Sequence, residues 1–351
     1  MKGRRVTIRD VAELAGCGAA TVSRVLNRSG PASAETRARV LAAAETLGFR
    51  FNELGRSLQS SRSRTLGIVV PNVVNPVFAA AIQGVQAAAA EHGYHTLLAC
   101  SDNDSGSEAA VAGTLAGKQV DGAVLTVVDP DRSEALAILR AAGIPYCLMV
   151  NQPTVREPSV GIDNAAAAAL AAEKLVASGH VETAFVAPRS CGSERAGMRA
   201  RGFAEALRRA GRPPPARLVV DDLGEGTLAA LSGLLDARPG VTGVFATNDF
   251  LALACLSAAH RLGVEVPEAL SVVGLGSSAL TELVAPSVAA VTTPTETMGQ
   301  GAAEAVIGAI DSDRPVAPAR RFLEVAFREG ASLAAPRDGP LPRTVRLAPG
   351  A

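Results

Sequence analysis

The sequence has no apolar run long enough to cross a bilayer, although 48% of its 351 residues are hydrophobic. A helix that spans a membrane needs about 20 consecutive apolar residues. Nor do the first ten residues resemble a secretory signal, because they are basic and polar with no apolar stretch behind them. We therefore expect a cytoplasmic protein without a membrane partner, built from two or three structural units.

Cysteine and histidine are few and scattered. The five cysteines show neither a disulfide framework nor zinc spacing, and no two of the four histidines have metal-ligand spacing. No phosphate-binding loop with its lysine is present, and no dinucleotide fingerprint opens a helix after the first predicted strand. We expect no metal, no cofactor and no catalysis. The predicted buried thiols are Cys17, Cys100, Cys147, Cys191 and Cys255.

Net charge is also absent, since 34 basic residues balance 34 acidic ones. The charges are nevertheless segregated: residues 1–65 carry twelve Lys or Arg against five Asp or Glu, a net of +7, and the remainder carries −7. A basic end on a neutral protein is typical of nucleic-acid binding, because phosphate neutralisation supplies much of the non-specific affinity. A solvated charged face is the alternative.

Two short helices are predicted between Val6 and Asn27. Gly16 to Gly18 supply a flexible break between them, and Thr7 with Asp10 has the spacing of a capping box. This pattern indicates a helix-turn-helix, or else an ordinary helical hairpin in a core. The apolar faces comprise Ile8, Val11 and Leu14 in the first helix and Val22, Val25 and Leu26 in the second.

A third helix is predicted from the N-cap Ser33 to Leu47, where Gly48 stops it. Its expected inner face is formed by Val40, Leu41, Ala44 and Leu47. The polar, basic segment Gln59 to Thr65 has no apolar periodicity and marks a domain boundary.

From Leu66 onward, apolar strands alternate with longer helical runs, and the same rhythm restarts after Asn164. Strands of this kind, separated by helices, predict parallel sheets covered on both faces. Two such sheets in tandem give a bilobed α/β unit. A ligand cleft is expected where the carboxyl ends of their strands face each other.

The runs TVSRVLN, ETRARVLAAAETLGF and NELGRSL resemble the DNA-binding head of the lactose-repressor-type (LacI/GalR) family of bacterial transcription regulators. The resemblance extends to about residue 330. It implies a helix-turn-helix head plus hinge helix, followed by a bilobed effector domain like that of periplasmic sugar-binding proteins. It also implies a repressor that binds double-stranded operator DNA of roughly palindromic sequence as a homodimer or tetramer. An effector-independent regulator and a solute-binding protein are the alternatives.

By this resemblance, Ala19, Ala20 and Arg24 hold the recognition positions, and Leu58 is the hinge residue that wedges into the minor groove. Arginine can make a bidentate contact to guanine, so we predict that Arg24 selects this base. Gly18 replaces the serine that usually caps the recognition helix in the family. The full predicted DNA-binding set is Thr7, Ala19, Ala20, Thr21, Ser23, Arg24, Asn27, Asn52, Arg56 and Leu58.

The predicted domains are a head over residues 1–50, a hinge and linker over 51–65, an effector and dimerisation domain over 66–335, and a disordered tail over 336–351. The resemblance implies three crossings between the lobes. Lobe 1 is expected at about 66–162 and 289–320, and lobe 2 at about 163–288 and 321–335, completed by a strand near Phe322 to Phe327.

Motifs matching the family place six residues in the predicted effector cleft, namely Asn75, Phe78, Asp163, Arg199, Asn248 and Asp249. Arginine, amide and carboxylate groups suit a sugar-like or nucleoside-like ligand, because hydroxyls need both donors and acceptors. Structural roles are open for several of them: the carboxylates can cap helices, Arg199 can pair with one of them, and Phe78 can be core. In the run VVGLGSS, Gly276 and Ser277 replace an acidic pair that the family usually carries.

Overall fold

The computed structural model describes residues 6–27, 30–49, 62–189, 193–220 and 222–337. The chain divides into two compact units, Met1–Arg64 and Thr65–Ala351. The hinge residues predicted to contact DNA, Asn52, Arg56 and Leu58, lie outside the described residues, as do Cys191 and residues 338–351. Within the described residues, no helix is long and apolar enough to span a membrane.

The first unit has helices α1 (Ile8–Leu14), α2 (Ala19–Asn27) and α3 (Ala34–Thr46) in its described part. The predicted N-caps are confirmed. The Asp10 carboxylate accepts the backbone N–H and the hydroxyl of Thr7, both at 2.7 Å, and the Ser33 hydroxyl accepts the Thr36 N–H at 3.2 Å. Gly48 ends α3 with φ +59°, a conformation that favours glycine.

The core of this unit differs from the predicted faces at two leucines. Leu14 and Leu41 are 53% and 51% exposed, and the alanines Ala15 and Ala43 are buried instead. The three helices pack closely around small residues, so the buried stripe is rotated toward the alanines and both leucines point to solvent. The buried residues are Val11, Ala12, Ala15, Val22, Val25, Val40, Ala43 and Ala44.

The second unit contains two six-stranded sheets. In the order in which they pair, the strands of the first sheet are β11 (Arg320–Phe322), β5 (Ser159–Gly161), β4 (Tyr146–Met149), β3 (Gly122–Leu125), β1 (Thr65–Val70) and β2 (His95–Cys100), all parallel. Its helices are α4 (Pro76–Glu91), α5 (Ser105–Gly117) and α6 (Glu134–Ala141). Cys100 is exposed on the edge strand, contrary to the prediction of a buried thiol.

The second sheet follows the order β12 (Ala326–Arg328), β10 (Ala289–Thr292), β9 (Ser271–Leu275), β8 (Val241–Ala246), β6 (Glu182–Pro188) and β7 (Ala216–Val220). Its helices are α7 (Asn164–Ala177), α8 (Glu194–Arg209), α9 (Glu225–Ala237), α10 (Asp249–Arg261) and α11 (Leu280–Leu283). The predicted pair of parallel sheets is confirmed with one difference: β12 runs antiparallel to β10.

The chain crosses between the sheets three times, after β5, after β10 and between β11 and β12. Two predicted boundaries were wrong. β10 pairs with β9, so lobe 2 extends to Thr292 instead of ending at residue 288, and lobe 1 resumes with α12 (Thr295–Ser312). The strand predicted near Phe322 to Phe327 is two strands, one in each sheet.

Helix α12 packs against α4 through glycines. A Cβ on Gly84 would collide with the backbone carbonyl of Glu296, and one on Gly299 would collide with that of Ala81. The two backbones can approach this closely only because both positions lack a side chain. The packing fixes the returning helix on the first lobe.

Candidate functional site

The exposed face of α2 carries the residues predicted to contact bases. Ala19, Ala20 and Arg24 are exposed, whereas Thr21 and Ser23 are half-buried. Asn27 is the last residue of the helix, and Thr7 caps the preceding one. The small side chains leave Arg24 as the one long basic group of the helix, which suits insertion into a major groove.

Arg24 is only loosely held. Its Nε lies 3.4 Å from the Ala20 carbonyl and its Nη2 lies 3.4 Å from the Thr21 hydroxyl, both long for a hydrogen bond. The guanidinium therefore lies along α2 and can reorient at little cost. Gly18 accepts the Val22 N–H through its backbone carbonyl, and space around its Cα is open.

A cavity of about 150 Å³ lies between the two sheets of the second unit. It is enclosed by the loops and helix starts that follow the carboxyl ends of strands in both sheets, the expected place for a ligand in this architecture. Five of the six predicted effector residues line it: Asn75, Phe78, Arg199, Asn248 and Asp249. Asp163 does not; its carboxylate caps α7 by accepting the N–H groups of Ala165 and Ala166 at 2.9 and 3.0 Å.

Three asparagine side chains in the wall are oriented by backbone groups. The Oδ1 of Asn72 accepts the Asn75 N–H at 3.0 Å, that of Asn75 accepts the Val77 N–H at 3.2 Å, and that of Asn248 accepts the Leu251 N–H at 2.9 Å. Asn75 and Asn248 are the N-caps of α4 and α10. Because each oxygen is committed to a cap or turn, each amide presents its Nδ2 as a donor.

Arg199 is anchored on two sides. Its Nε donates to the Asn164 Oδ1 at 2.8 Å, and its Nη1 donates to the Thr247 carbonyl at 3.0 Å. Asn164 is fully buried, and its backbone N–H and Nδ2 both donate to the Gln152 Oε1 at 3.0 Å. Gln152 follows β4 of the first lobe, so the arginine is connected to both lobes.

Glu194, the first residue of α8, makes a second connection between the lobes. Its Oε1 accepts the Asn151 Nδ2 at 2.9 Å and the Gln152 N–H at 3.1 Å. Asn151 is itself held on the first lobe by two hydrogen bonds to the backbone of Val127. Buried and part-buried polar contacts thus join the two lobes.

Asp249 is the acid of the cavity. It is 3% exposed; its Oδ2 accepts the Ser278 N–H at 3.2 Å, and its Oδ1 has no partner among the described residues. Burial raises the pKa of this carboxyl to about 6, and the Ser278 N–H and the charge of Arg328 oppose the rise. A Cβ on Gly276, whose φ is +149°, would collide with this carboxylate. The glycine thus lies where Asp249 leaves no space for a side chain.

Within the described residues, no cluster of three or more potential metal ligands is present. His180, expected to be structural, is buried, and its ring nitrogens lie 2.9 Å from the Thr242 hydroxyl and 3.1 Å from the Ala334 carbonyl. Burial lowers the pKa of this imidazole to about 4. The second contact ties the segment after β12 to the second sheet, and Arg337 of that segment donates its N–H to the Glu268 carbonyl.

Known proteins resemble the chain along most of its length. The model for bacterial regulatory proteins of the lacI family matches residues 7–52, and that for a periplasmic binding protein-like domain matches residues 172–333. HTH-type transcriptional regulator CelR of Thermobifida fusca is 34% identical over 92% of this chain and 96% of that protein. HTH-type transcriptional regulator GntR of Escherichia coli (strain K12) is 30% identical over 93% of this chain and 98% of that protein.

The chain belongs to the LacI family of bacterial regulatory proteins. It is a DNA-binding transcriptional regulator with a helix-turn-helix head. The solved structure of a LacI-family relative, a CelR–cellobiose complex, aligns with a TM-score of 0.67 at 31% identity and covers 93% of this chain and 100% of that one. The resemblance inferred from the sequence is confirmed.

Sequence reasoning missed several residues of the cavity wall, among them Asn72, Asn103, Arg195 and Thr293. Arg195 had a detectable signal, because it precedes Arg199 by four residues and so lies on the same face of α8. Asn72 had one as well, since it follows the first strand within the same short loop as Asn75. Thr293 follows β10, whose place in the second sheet the sequence did not indicate.

Proposed function

We propose that this LacI-family regulator is a repressor that binds a roughly palindromic operator as a homodimer. We further propose that a small polar ligand between the two lobes controls this binding. The proposal rests on one observation: a single cavity between the two sheets is lined by Arg199, Asn248, Asp249 and Asn75. The CelR structure with cellobiose supports a sugar-like ligand by analogy.

The exposed face of α2 supports the assignment of base recognition to Arg24, flanked by Ala19 and Ala20. An arginine that makes a bidentate contact to guanine contributes about 1 to 3 kcal/mol of discrimination. Two copies of the head on a symmetric site would double that discrimination and impose the palindrome. The small neighbours allow close approach of the helix to the groove.

Control by the ligand would operate as a population shift between two arrangements of the lobes. Arg199 reaches the first lobe through Asn164 and Gln152, and Glu194 reaches it through Asn151. A ligand that contacts Arg199 and Asn248 from one side and Asn75 from the other would favour the lobe arrangement that fits it best. In a dimer, a change in the lobe arrangement of each subunit would then alter the spacing between the two heads.

Selection from random duplexes tests the proposal. The full chain is incubated with a random pool, bound sites are sequenced, and the enriched site is titrated with and without candidate ligands. We expect an inverted repeat with a guanine in each half-site, and an operator affinity that changes at least fivefold with one class of ligand. Binding that depends only on salt and not on sequence would contradict the assignment of the head.

A regulator without an effector is the second candidate, and Gly276 favours it because no side chain projects into the cavity there. The same titration separates the two candidates. If a palindrome is selected and no polar ligand changes its affinity, the chain is a constitutive regulator. If a ligand changes it, the cavity is a control site.

A further inference from the structure

Arg195 places a second guanidinium in the wall of the cavity. It lies one turn before Arg199 on α8 and is only 7% exposed. Its Nη1 is buried and has no hydrogen-bond partner among the residues that the structure describes. A buried N–H group without a partner costs free energy, which an acceptor on a bound ligand would recover.

The two carboxylates near Arg195, those of Glu108 and Glu194, do not accept a hydrogen bond from its Nη1. One oxygen of Glu108 accepts the Val128 N–H at 2.8 Å, and one oxygen of Glu194 accepts the two first-lobe donors described above. The remaining oxygen of each acid has no partner in the described part of the chain, so neither hydrogen-bonds Arg195. Burial raises the pKa of Glu108, and the nearby positive charge of Arg195 acts in the opposite direction.

Three amides of the wall offer N–H donors to a ligand. Asn72, Asn75 and Asn248 each present an Nδ2, because their oxygens are held by backbone N–H groups. Asp249 contributes an acceptor, whereas Gly276 contributes no side chain, and the Thr293 hydroxyl is already paired with that of Thr295 at 2.9 Å. A cavity of this kind suits a ligand whose oxygens accept without donating.

Hydroxyl groups suit such a wall poorly, because each carries a proton that must find an acceptor. Carboxylate and phosphate oxygens accept only, and their hydrogen bonds to a guanidinium are about twice as strong as those between neutral groups. An anionic group would also give the Arg195 Nη1 the acceptor that Glu108 and Glu194 do not provide. The amide donors and the Arg195 guanidinium therefore both favour a ligand with anionic oxygens.

We propose that the ligand of this cavity carries an anionic group, a carboxylate or a phosphate, which pairs with Arg195 while the amides hold the polar remainder. This inference rests on the proposed function only in placing the controlling ligand between the lobes. Arg195 is then a specificity-determining residue. Arg199, whose Nε and Nη1 donate to Asn164 and Thr247, links the cavity wall to both lobes.

The first test compares matched ligands by calorimetry on the full chain. Each neutral aldohexose is measured beside its aldonate, its uronate and its 6-phosphate. An anionic member should bind about 10- to 100-fold more tightly than its neutral parent, the effect of one hydrogen bond to a charged group. The carboxylates and the phosphate form separate arms, so the tighter arm identifies the anion.

The variant Arg195→Met should remove this preference, and Arg195→Lys should retain part of it. Arg201→Met is the matched control, since Arg201 is exposed on the same helix and does not line the cavity. It should bind like the wild type. A neutral parent that binds as tightly as its anions, or an Arg195→Met variant that keeps the preference, would overturn the inference.

A second measurement uses inorganic phosphate alone, at constant ionic strength, and follows the melting temperature. Phosphate should stabilise the wild type and Arg201→Met but not Arg195→Met. Without phosphate, Arg195→Met should melt at the same temperature as the wild type or higher, because it removes an unsatisfied buried Nη1 and breaks no hydrogen bond within the described residues. A lower melting temperature, or an equal response to phosphate in all three proteins, would assign Arg195 a structural role instead. Neither experiment involves DNA, so failure of the operator assignment would leave both outcomes interpretable.

Discussion

The Asp249 carboxylate occupies the space into which a side chain at Gly276 would have to project. The two residues belong to different segments, the start of α10 and the loop after β9, and meet at the wall of the cavity. Because the Asp249 carboxylate fills this space, position 276 accommodates glycine and no larger residue. Asp249 supplies a carboxylate to the cavity wall, and Gly276 lies where the family usually carries an acidic residue.

Gly276→Ala should destabilise the protein by about 1 to 3 kcal/mol, because the added methyl group overpacks the site and φ of +149° is unfavourable for alanine. Urea unfolding measures this loss. Adding Asp249→Ala should recover part of it, since the colliding carboxylate is gone. Strictly additive effects in this double-mutant cycle would show that the two residues do not interact.

Asp249→Asn should stabilise the ligand-free protein at pH 7.5 by about 1 to 3 kcal/mol. The folded-state pKa of about 6 exceeds the ordinary aspartate value of 3.8, so the folded protein binds more protons than the unfolded chain between these values. Stability from this group is therefore greatest at low pH and is lost as pH rises through about 6. At pH 4 the Asp249 carboxyl of the folded wild type is neutral, so the stability gained by Asp249→Asn should vanish.

Thermal unfolding at both pH values measures the difference, with Asp163→Asn as control. Asp163 is exposed, and asparagine can serve as an N-cap in its place, so its substitution should have little effect at either pH. Ligand affinity should fall in Asp249→Asn alone. A variant that is less stable than the wild type at pH 7.5 would contradict the raised pKa.

The sequence predicted the head helices and the alternation of strands and helices because both depend on local periodicity and caps. It did not predict that β10 pairs with β9, since a short apolar strand carries no information about its partner sheet. The exposed Leu14 was missed for a similar reason: on a helix of seven residues, the buried face is decided by the neighbouring helices.

Arg24→Ala should abolish selection for guanine at one position of each half-site, with a loss of about 1 to 3 kcal/mol of discrimination per contact. Competition between the selected operator and a version substituted at that base measures the effect. Arg39→Ala is the control, because Arg39 is exposed on α3 and any phosphate contact would be blind to sequence. Selectivity that survives in Arg24→Ala would move the recognition role to another residue.

Gly299→Ala should destabilise the second unit by about 1 to 3 kcal/mol, because the new methyl group would separate α12 from α4. Gly308→Ala, in the same helix, should instead stabilise the protein by up to about 1 kcal/mol. No heavy atom lies within 4 Å of the added Cβ there, and alanine is the better helix former. Chemical unfolding measures the change in the free energy of unfolding for both variants. A change of the same sign in both would contradict the close packing of α12 against α4.

The described structure has a cavity where the cleft was predicted, and five of the six predicted residues line it. Asn75, Phe78, Arg199, Asn248 and Asp249 meet at the cavity because each follows or faces the carboxyl end of a strand. Asp163 has the same local pattern as Asn248, an N-cap after a strand, yet it lies outside the cavity. Local sequence identifies the N-cap of a helix, but it does not specify whether that N-cap lies at the cavity.

The caps of α4 and α10 have a consequence for how ligand preference can change during evolution. A substitution at Asn75 or Asn248 alters a ligand contact and a helix start together, so most variants there lose stability before they gain a new preference. Arg195 caps nothing and can be exchanged without that penalty. Divergence among paralogues of this chain is therefore expected to concentrate at position 195, while the two asparagines stay fixed across regulators of unrelated ligands.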